Sequence, residues 1–166
     1  MFCGVFRISK VTDYGIVLLA HLARSEGASA QNAREIALEV ELPAPMVSKV
    51  LKSLTRYGIL ESQRGSKGGY SLTRPPEQLT VAEMIGALEG PVGLTQCTLA
   101  SNLCAHEGSC AVRNPWQIIN RVIHDALETV TLADLIDPDF TAQASIVEIL
   151  SRSGSDSVTR EVLGLE

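Results

Sequence analysis

A mainly α-helical chain carrying one small β-hairpin is what the sequence predicts, on three observations. Apolar residues recur at three- and four-residue spacing through several stretches between positions 10 and 130. Only two short runs, Ile59–Ser62 and Tyr70–Leu72, break that period with strand-like composition. A composition of 45 % apolar and 4 % aromatic residues over 166 positions suits helices around one core, with room for an appended extension.

The first helix should begin at Lys10, capped by Ser9, and run to about Arg24. Val11, Tyr14, Leu18 and Leu22 make its apolar stripe, and Asp13 sits in the first turn where a carboxylate suits the helix dipole. Asn32 and Glu35 form a capping-box pattern that opens a short helix through Val40. Leu42-Pro-Ala-Pro45 then turns the chain into a helix from about Pro45 to Tyr57. That helix buries Val47, Val50, Leu51 and Leu54 and presents Ser48, Lys49, Lys52, Ser53 and Arg56 on its other face. Two helices joined by so short a turn, the second basic outside, form a helix-turn-helix.

Gly58 stops the second of these helices, and the two short strands follow. Between them Gln63-Arg64-Gly65-Ser66-Lys67-Gly68-Gly69 is a glycine-rich turn with two cations, the wing of a winged helix. Its glycines permit positive φ and let backbone approach a sugar–phosphate chain closely. No Gly-Lys-Ser/Thr opens a helix here, so the turn is not a nucleotide-binding P-loop. After Pro75-Pro76, Thr80 and Glu83 make a second capping box for a helix ending near Glu89-Gly90.

Charge is distributed unevenly. The net value is −5, yet residues 1–80 hold ten Lys/Arg against seven Asp/Glu, and residues 81–166 hold four against twelve. Between Ser48 and Arg74 six basic residues face one acidic. A basic N-terminal half on an acidic body is the asymmetry of a protein that docks one face on phosphate.

The stretch Cys97-Thr-Leu-Ala-Ser-Asn-Leu-Cys104-Ala-His-Glu-Gly-Ser-Cys110 reads as an exposed loop, with thiols spaced C-x6-C-x5-C. Soft sulfur donors at that density select an iron–sulfur cluster, zinc or copper(I). Closed zinc sites normally use C-x2-4-C pairs, absent here, and three thiols cannot all pair as disulfides without recruiting Cys3. A cluster is the leading expectation; zinc and a thiol redox switch compete with it. Two-iron and four-iron clusters accept such a ligand set alike.

Asn114 should cap a further helix, with Pro115 at its first position and Gln117 completing the box. Trp116, Ile119, Val122, Ile123, Ala126, Leu127 and Val130 follow at helical spacing, roughly 24 Å of helix. So long a stripe outside a small winged-helix core predicts pairing with its twin in a homodimer. The expected organisation is therefore a winged helix-turn-helix over 8–90, a cluster loop over 91–114, a dimerisation helix over 115–136 and a tail over 137–166. That tail has an apolar patch, Ile146–Leu150, and no assignable role.

Other classes find little support. The longest apolar run, Ile16–Ala20, cannot span a bilayer, and the first residues lack a signal-peptide pattern. A cytoplasmic protein with reduced thiols is expected. An enzyme is not: there is no C-x-x-C pair, nucleophile elbow or carboxylate–histidine zinc motif. His21 and His124 lie on helices as structural residues.

Thr12-Asp13-Tyr14-Gly15, the helix-turn-helix, the Arg64–Tyr70 wing and a three-cysteine loop before a long helix resemble, in that order, the Rrf-two (Rrf2) family of bacterial transcription regulators, which includes the iron–sulfur sensors IscR and NsrR. The resemblance spans about residues 8–136. Glu89-Gly-Pro-Val-Gly-Leu-Thr-Gln-Cys97 and Cys110-Ala-Val-Arg-Asn-Pro-Trp116 look most like the branch regulating the SUF iron–sulfur assembly operon. It implies a homodimer that binds a pseudo-palindromic operator in double-stranded DNA, with Ser48, Lys49 and Lys52 in the major groove and Arg64 and Lys67 on the wing. It also implies Cys97, Cys104 and Cys110 as cluster ligands. The IscR branch places a histidine three residues after the last cysteine; here Arg113 stands there, a cation with no acceptor. In the NsrR branch an aspartate of the partner's first helix completes the site, a place Asp13 fills, with His106 as competitor. Cys3 lies outside the matched region and is incidental.

Overall fold

The computed structural model describes residues 8–25, 30–65, 68–100 and 103–140. Lys67 of the wing, Cys3 and the apolar patch at 146–150 lie outside them. Seven α-helices and one two-stranded sheet are formed among the described residues: α1 (Lys10–Arg24), α2 (Ala33–Glu39), α3 (Ala44–Arg56), β1 (Leu60–Ser62), β2 (Tyr70–Leu72), α4 (Val81–Glu89), α5 (Gln96–Leu99), α6 (Arg113–Thr129) and α7 (Leu132–Ile136). A 3-10 turn at Pro76–Gln78 precedes α4.

The helix starts follow local chemistry. Ser9 Oγ accepts from Thr12 N at 3.3 Å to cap α1. Asn32 Oδ1 accepts from Arg34 N and Glu35 N, while Glu35 Oε2 accepts from Asn32 N, so the capping box at α2 is reciprocal. At α4 only half a box forms: Thr80 Oγ1 accepts from Glu83 N, but the Glu83 carboxylate pairs with Arg74 at 2.8 Å.

Both helices of the helix-turn-helix end in the same left-handed closure. Leu42 N donates to Ala37 O and Glu41 N to Leu38 O, with Glu41 at φ 53°. Ile59 N donates to Leu54 O and Gly58 N to Thr55 O, with Gly58 at φ 74°. These are Schellman motifs, which satisfy the last carbonyls of a helix and turn the chain sharply. The second gives the chain to the hairpin. There Leu60 faces Leu72, Glu61 faces Ser71 and Ser62 faces Tyr70 in antiparallel register.

Leu18, Leu19, Ile36, Val47, Val50, Leu51, Leu54, Leu60, Leu79 and Met84 are almost wholly buried together, so α1, α2, α3, α4 and the hairpin share one core. Leu132, from α7, is 0 % exposed and belongs to the same core.

The chain after the cysteine loop departs from expectation at both ends of its long helix. α6 opens at Arg113 after Val112, with no side-chain cap from Asn114. Pro115 still falls in the first turn, where its missing N–H costs nothing. The run to 136 is not one helix: α6 ends at Thr129, and Thr131 starts α7 with its own capping box, Oγ1 accepting from Asp134 N while Asp134 Oδ2 accepts from Thr131 N. The break is fixed by two crossed backbone bonds, Val81 N to Val130 O and Leu132 N to Leu79 O, both 2.8 Å. The cysteine stretch is also not all loop. Thr98 Oγ1 accepts from Thr95 N and Thr98 N donates to Thr95 O, winding 96–99 into one turn of helix.

Candidate functional site

Two groups of residues bear on function: the basic face of α3 with the wing, and the cysteine loop. On α3, Lys49, Lys52 and Arg56 are exposed and Ser48 is half-buried beside them. Ser53, expected on the same face, instead turns inward and donates to the Ala87 carbonyl of α4 at 3.4 Å. Arg64 is exposed at the end of β1.

The wing is docked on the chain before α2. Tyr70 N donates to Gln31 O at 2.9 Å, so Gln31 adds a third, bridging strand position beside β2. A Cβ on Gly69 would overlap the backbone of Gln31 and Ala30. The close approach that glycine allows here is therefore to the protein's own chain, and it fixes the wing to the helix-turn-helix. His21, half-buried in the last turn of α1, reinforces that junction: its Nε2 lies 2.8 Å from Gln31 Oε1 and 3.2 Å from Glu39 Oε2. Gln31 Nε2 donates in turn to Glu39. His124, on α6, faces Glu128 one turn on at 3.9 Å.

Cys97, Cys104 and Cys110 are all half-buried, and none is in a disulfide. Cys97 rides on α5, its Sγ 3.2 Å from Thr95 Oγ1. The segment leading to it is tied to α6, because Leu94 N donates to Asn120 Oδ1 at 3.0 Å. Cys104 and Cys110 each open a tight turn: Glu107 N donates to Cys104 O and Arg113 N to Cys110 O. Glu107 and Arg113 then meet side chain to side chain at 2.6 Å. His106 is exposed on the first of these turns, and Asp13 is exposed in the first turn of α1. Among the described residues, no three Cys, His, Asp or Glu side chains converge into a set that could hold an ion. The three thiols are thus gathered on one α6-anchored segment without closing a centre within one chain.

Donor chemistry nevertheless fits a thiophilic metal group. Three unpaired thiols share a short segment, and a buried donor, Arg113 Nε–H, has no acceptor among the described residues.

Sequence reasoning missed the residue that ties the end of α4, just before the cysteine loop, to the start of α1. Glu89, the last residue of α4, accepts from Ser9 N at 2.9 Å and from the Thr12 hydroxyl through the same Oε1. Thr12 is 0 % exposed, a buried polar side chain whose hydroxyl Glu89 satisfies. The Thr12 hydrogen bond first, then that from the Ser9 backbone, holds the Glu89 carboxyl below its ordinary range, against the opposing effect of partial desolvation. Gly90, at φ 94°, follows immediately and turns the chain toward the cysteines. The N-terminus of the first helix is thereby clasped to the doorway of the loop. Its only sequence signal was an acidic residue just before a Gly-Pro pair.

The family model described as an iron-dependent transcriptional regulator, Rrf2, matches residues 8–138. The chain belongs to the Rrf2 family. This places it among transcriptional regulators of the winged-helix type and outside the enzymes. The Rrf2 chain is 29 % identical over 131 residues to the HTH-type transcriptional repressor NsrR of Streptomyces coelicolor, covering 78 % of this chain and 88 % of that protein. Among solved structures it is similar to CymR, the global cysteine regulator of Bacillus subtilis, with a TM-score of 0.64, 27 % identity and coverage of 79 % and 96 %. IscR of T. potens matches with a TM-score of 0.62, 26 % identity and coverage of 84 % and 93 %. Among the described residues, no helix is long and apolar enough to cross a membrane.

Proposed function

We propose that this Rrf2 regulator is a cytoplasmic homodimer that senses iron–sulfur status through a cluster on Cys97, Cys104 and Cys110 and controls SUF-type assembly genes. The Glu89 clasp is the observation that carries the reading: the residue from which the chain passes into the thiol-rich loop is bonded, through its carboxylate, to the first helix of a DNA-reading head. The likeness to NsrR and IscR, and the iron dependence in the family description, support it. When bound, the cluster supplies a rigid multi-sulfur tether whose presence depends on iron and oxidants. The chain's own residues do the rest. Three thiolates bind; Asp13, exposed on α1, offers a carboxylate to the partner's site, with His106 as the rival fourth ligand.

On DNA, α3 enters the major groove with Ser48, Lys49 and Lys52 toward base edges and phosphates, and Arg64 and Lys67 of the wing reach the adjacent backbone. Two copies read the halves of a pseudo-palindrome. Coupling of about 1–3 kcal/mol between loop and head would change operator affinity some 5–150-fold.

Anaerobically purified protein should be brown, and Asp13→Ala should alter its visible spectrum more than His106→Ala. Titration of a SUF promoter with and without cluster should then give different affinities. Equal affinities would remove the sensing role. Lys49→Ala and Arg64→Ala should each weaken operator binding and reduce the salt dependence by about one counterion; wild-type affinity in both would displace α3 and the wing from the interface.

The likeness to CymR, a cysteine regulator, leaves room for a second reading without a cluster, in which the same free thiols form a reversible disulfide or hold zinc. A colourless protein whose operator affinity follows oxidant or zinc would select it.

A further inference from the structure

The pair Glu107–Arg113 straddles Cys110, with Glu107 between Cys104 and Cys110 and Arg113 three residues past Cys110, and has no role in the reading above. Each member closes a turn whose first residue is a cysteine: Glu107 N donates to Cys104 O at 3.1 Å, and Arg113 N donates to Cys110 O at 3.3 Å. Their side chains meet at 2.6 Å, and the Glu107 side chain is only 12 % exposed. The ion pair therefore locks the Cys104 turn against the Cys110 turn. A partly buried, charge-assisted pair of this length is a much stiffer constraint than a solvated surface pair.

The second observation concerns the other side of the same guanidinium. Nη2 serves Glu107, but Nε is shielded from solvent and has no partner among the described residues. A buried N–H without an acceptor is costly, so its position calls for one. The same segment carries the Cys104 and Cys110 thiols, and sulfur ligands and sulfides are acceptors whose hydrogen bonds tune a centre's electronics.

We propose that Arg113 is a positioning residue of the cysteine site: it clamps Glu107 to preset the Cys104 and Cys110 turns, and its buried Nε–H donates to a sulfur of the metal centre formed there. The proposal rests on the metal-binding reading of the loop, although the clamp needs only thiol coordination of some metal. It also gives the residue that stands where a histidine ligand would be a role that a cation can fill.

Cobalt(II) added anaerobically to the full-length protein reports the clamp through its thiolate absorption. Affinity should fall about 10–100-fold in Glu107→Gln and in Arg113→Gln. It should recover toward wild type in the exchanged pair Glu107→Arg with Arg113→Glu. Iron-loaded protein reports the donor: Arg113→Lys keeps the charge but loses Nε–H, so its midpoint potential should drop below wild type. Glu107→Gln, which keeps Nε–H, should leave the potential nearly unchanged. Cobalt affinities equal to wild type in both single variants would overturn the clamp, and an unaltered potential in Arg113→Lys would overturn the donor. If Arg113→Gln does not fold, Glu107→Gln and Arg113→Lys still decide both points. Wild-type protein that takes up no iron yet shows the predicted cobalt series would sink the cluster reading and keep the clamp. Protein that binds neither metal would sink both.

Discussion

Glu41 and Gly58 occupy the same position in consecutive helices, the left-handed residue of a Schellman closure, and only one of them is glycine. A side chain in that region costs about 1–2 kcal/mol, of which glycine's extra chain entropy takes back roughly 0.4–1. Glu41→Gly should therefore stabilise the fold by about 0.5–1 kcal/mol in urea unfolding, and Gly58→Ala should destabilise it by a similar amount. No atom crowds a Cβ at Gly58, so that loss would be backbone strain alone. Gly58 was legible as a helix stop. Glu41 was not, because a glutamate gives no hint of positive φ, and the closure there is imposed by packing of α3 on α2. Glu89 makes a different prediction. Its carboxyl is held below the ordinary glutamate range, so its contribution is present above the unfolded value near about 4.3 and lost as pH falls through the lower folded value. Glu89→Gln should be less stable than wild type at neutral pH, with the difference closing in acid. A constant difference across that range would remove the charge from the clasp. Tertiary partners of this kind, eighty residues apart in the chain for Ser9 and Glu89, leave no local signature.

At the scale of elements, starts were read better than ends. Ser9, Asn32 and Thr80 each announced a helix because a short oxygen-bearing side chain satisfies orphan N–H groups whatever the tertiary context. Asn114 misled for the opposite reason: Arg113 is drawn back to Glu107, and the helix is already wound before Asn114 is reached. The missed break at Val130 did have a signal, Thr131-Leu-Ala-Asp134, hidden inside a continuous apolar period. Its consequence is measurable. Leu132→Ala removes a fully buried side chain where α7 meets the core and should cost about 2–5 kcal/mol of stability. A loss below about 1 kcal/mol in denaturant unfolding would mean that α7 merely rests on the head.

For the whole molecule, the informative surface is α6, which has no buried residue although its sequence is amphipathic. Trp116, Ile118 and Ile119 stand 39–61 % exposed, and Val112 and the loop residue Leu103 are exposed as well. An apolar surface of that kind is what the proposed homodimer would cover. Ile119→Glu should yield monomers by sedimentation and weaken operator binding, since each half-site would then be bound alone. A dimer unaffected by this change would place the interface elsewhere. The winged-helix architecture was readable from order and spacing alone. The Glu89 clasp and the joint between α4 and α7 were not, because these contacts are made only after the chain has closed on itself.

That last joint bears on how the protein can be taken apart. Because residues 130–132 cross back over Leu79 and Val81 by paired main-chain bonds and then insert a leucine, the reading head is finished by residues that come after the long helix. A fragment cut at the end of α6 would lack the plug for its own interior. Cleaving between the DNA-recognition module and α7 would therefore strip a buried leucine from the head's interior, and the severed head should melt earlier than the intact chain.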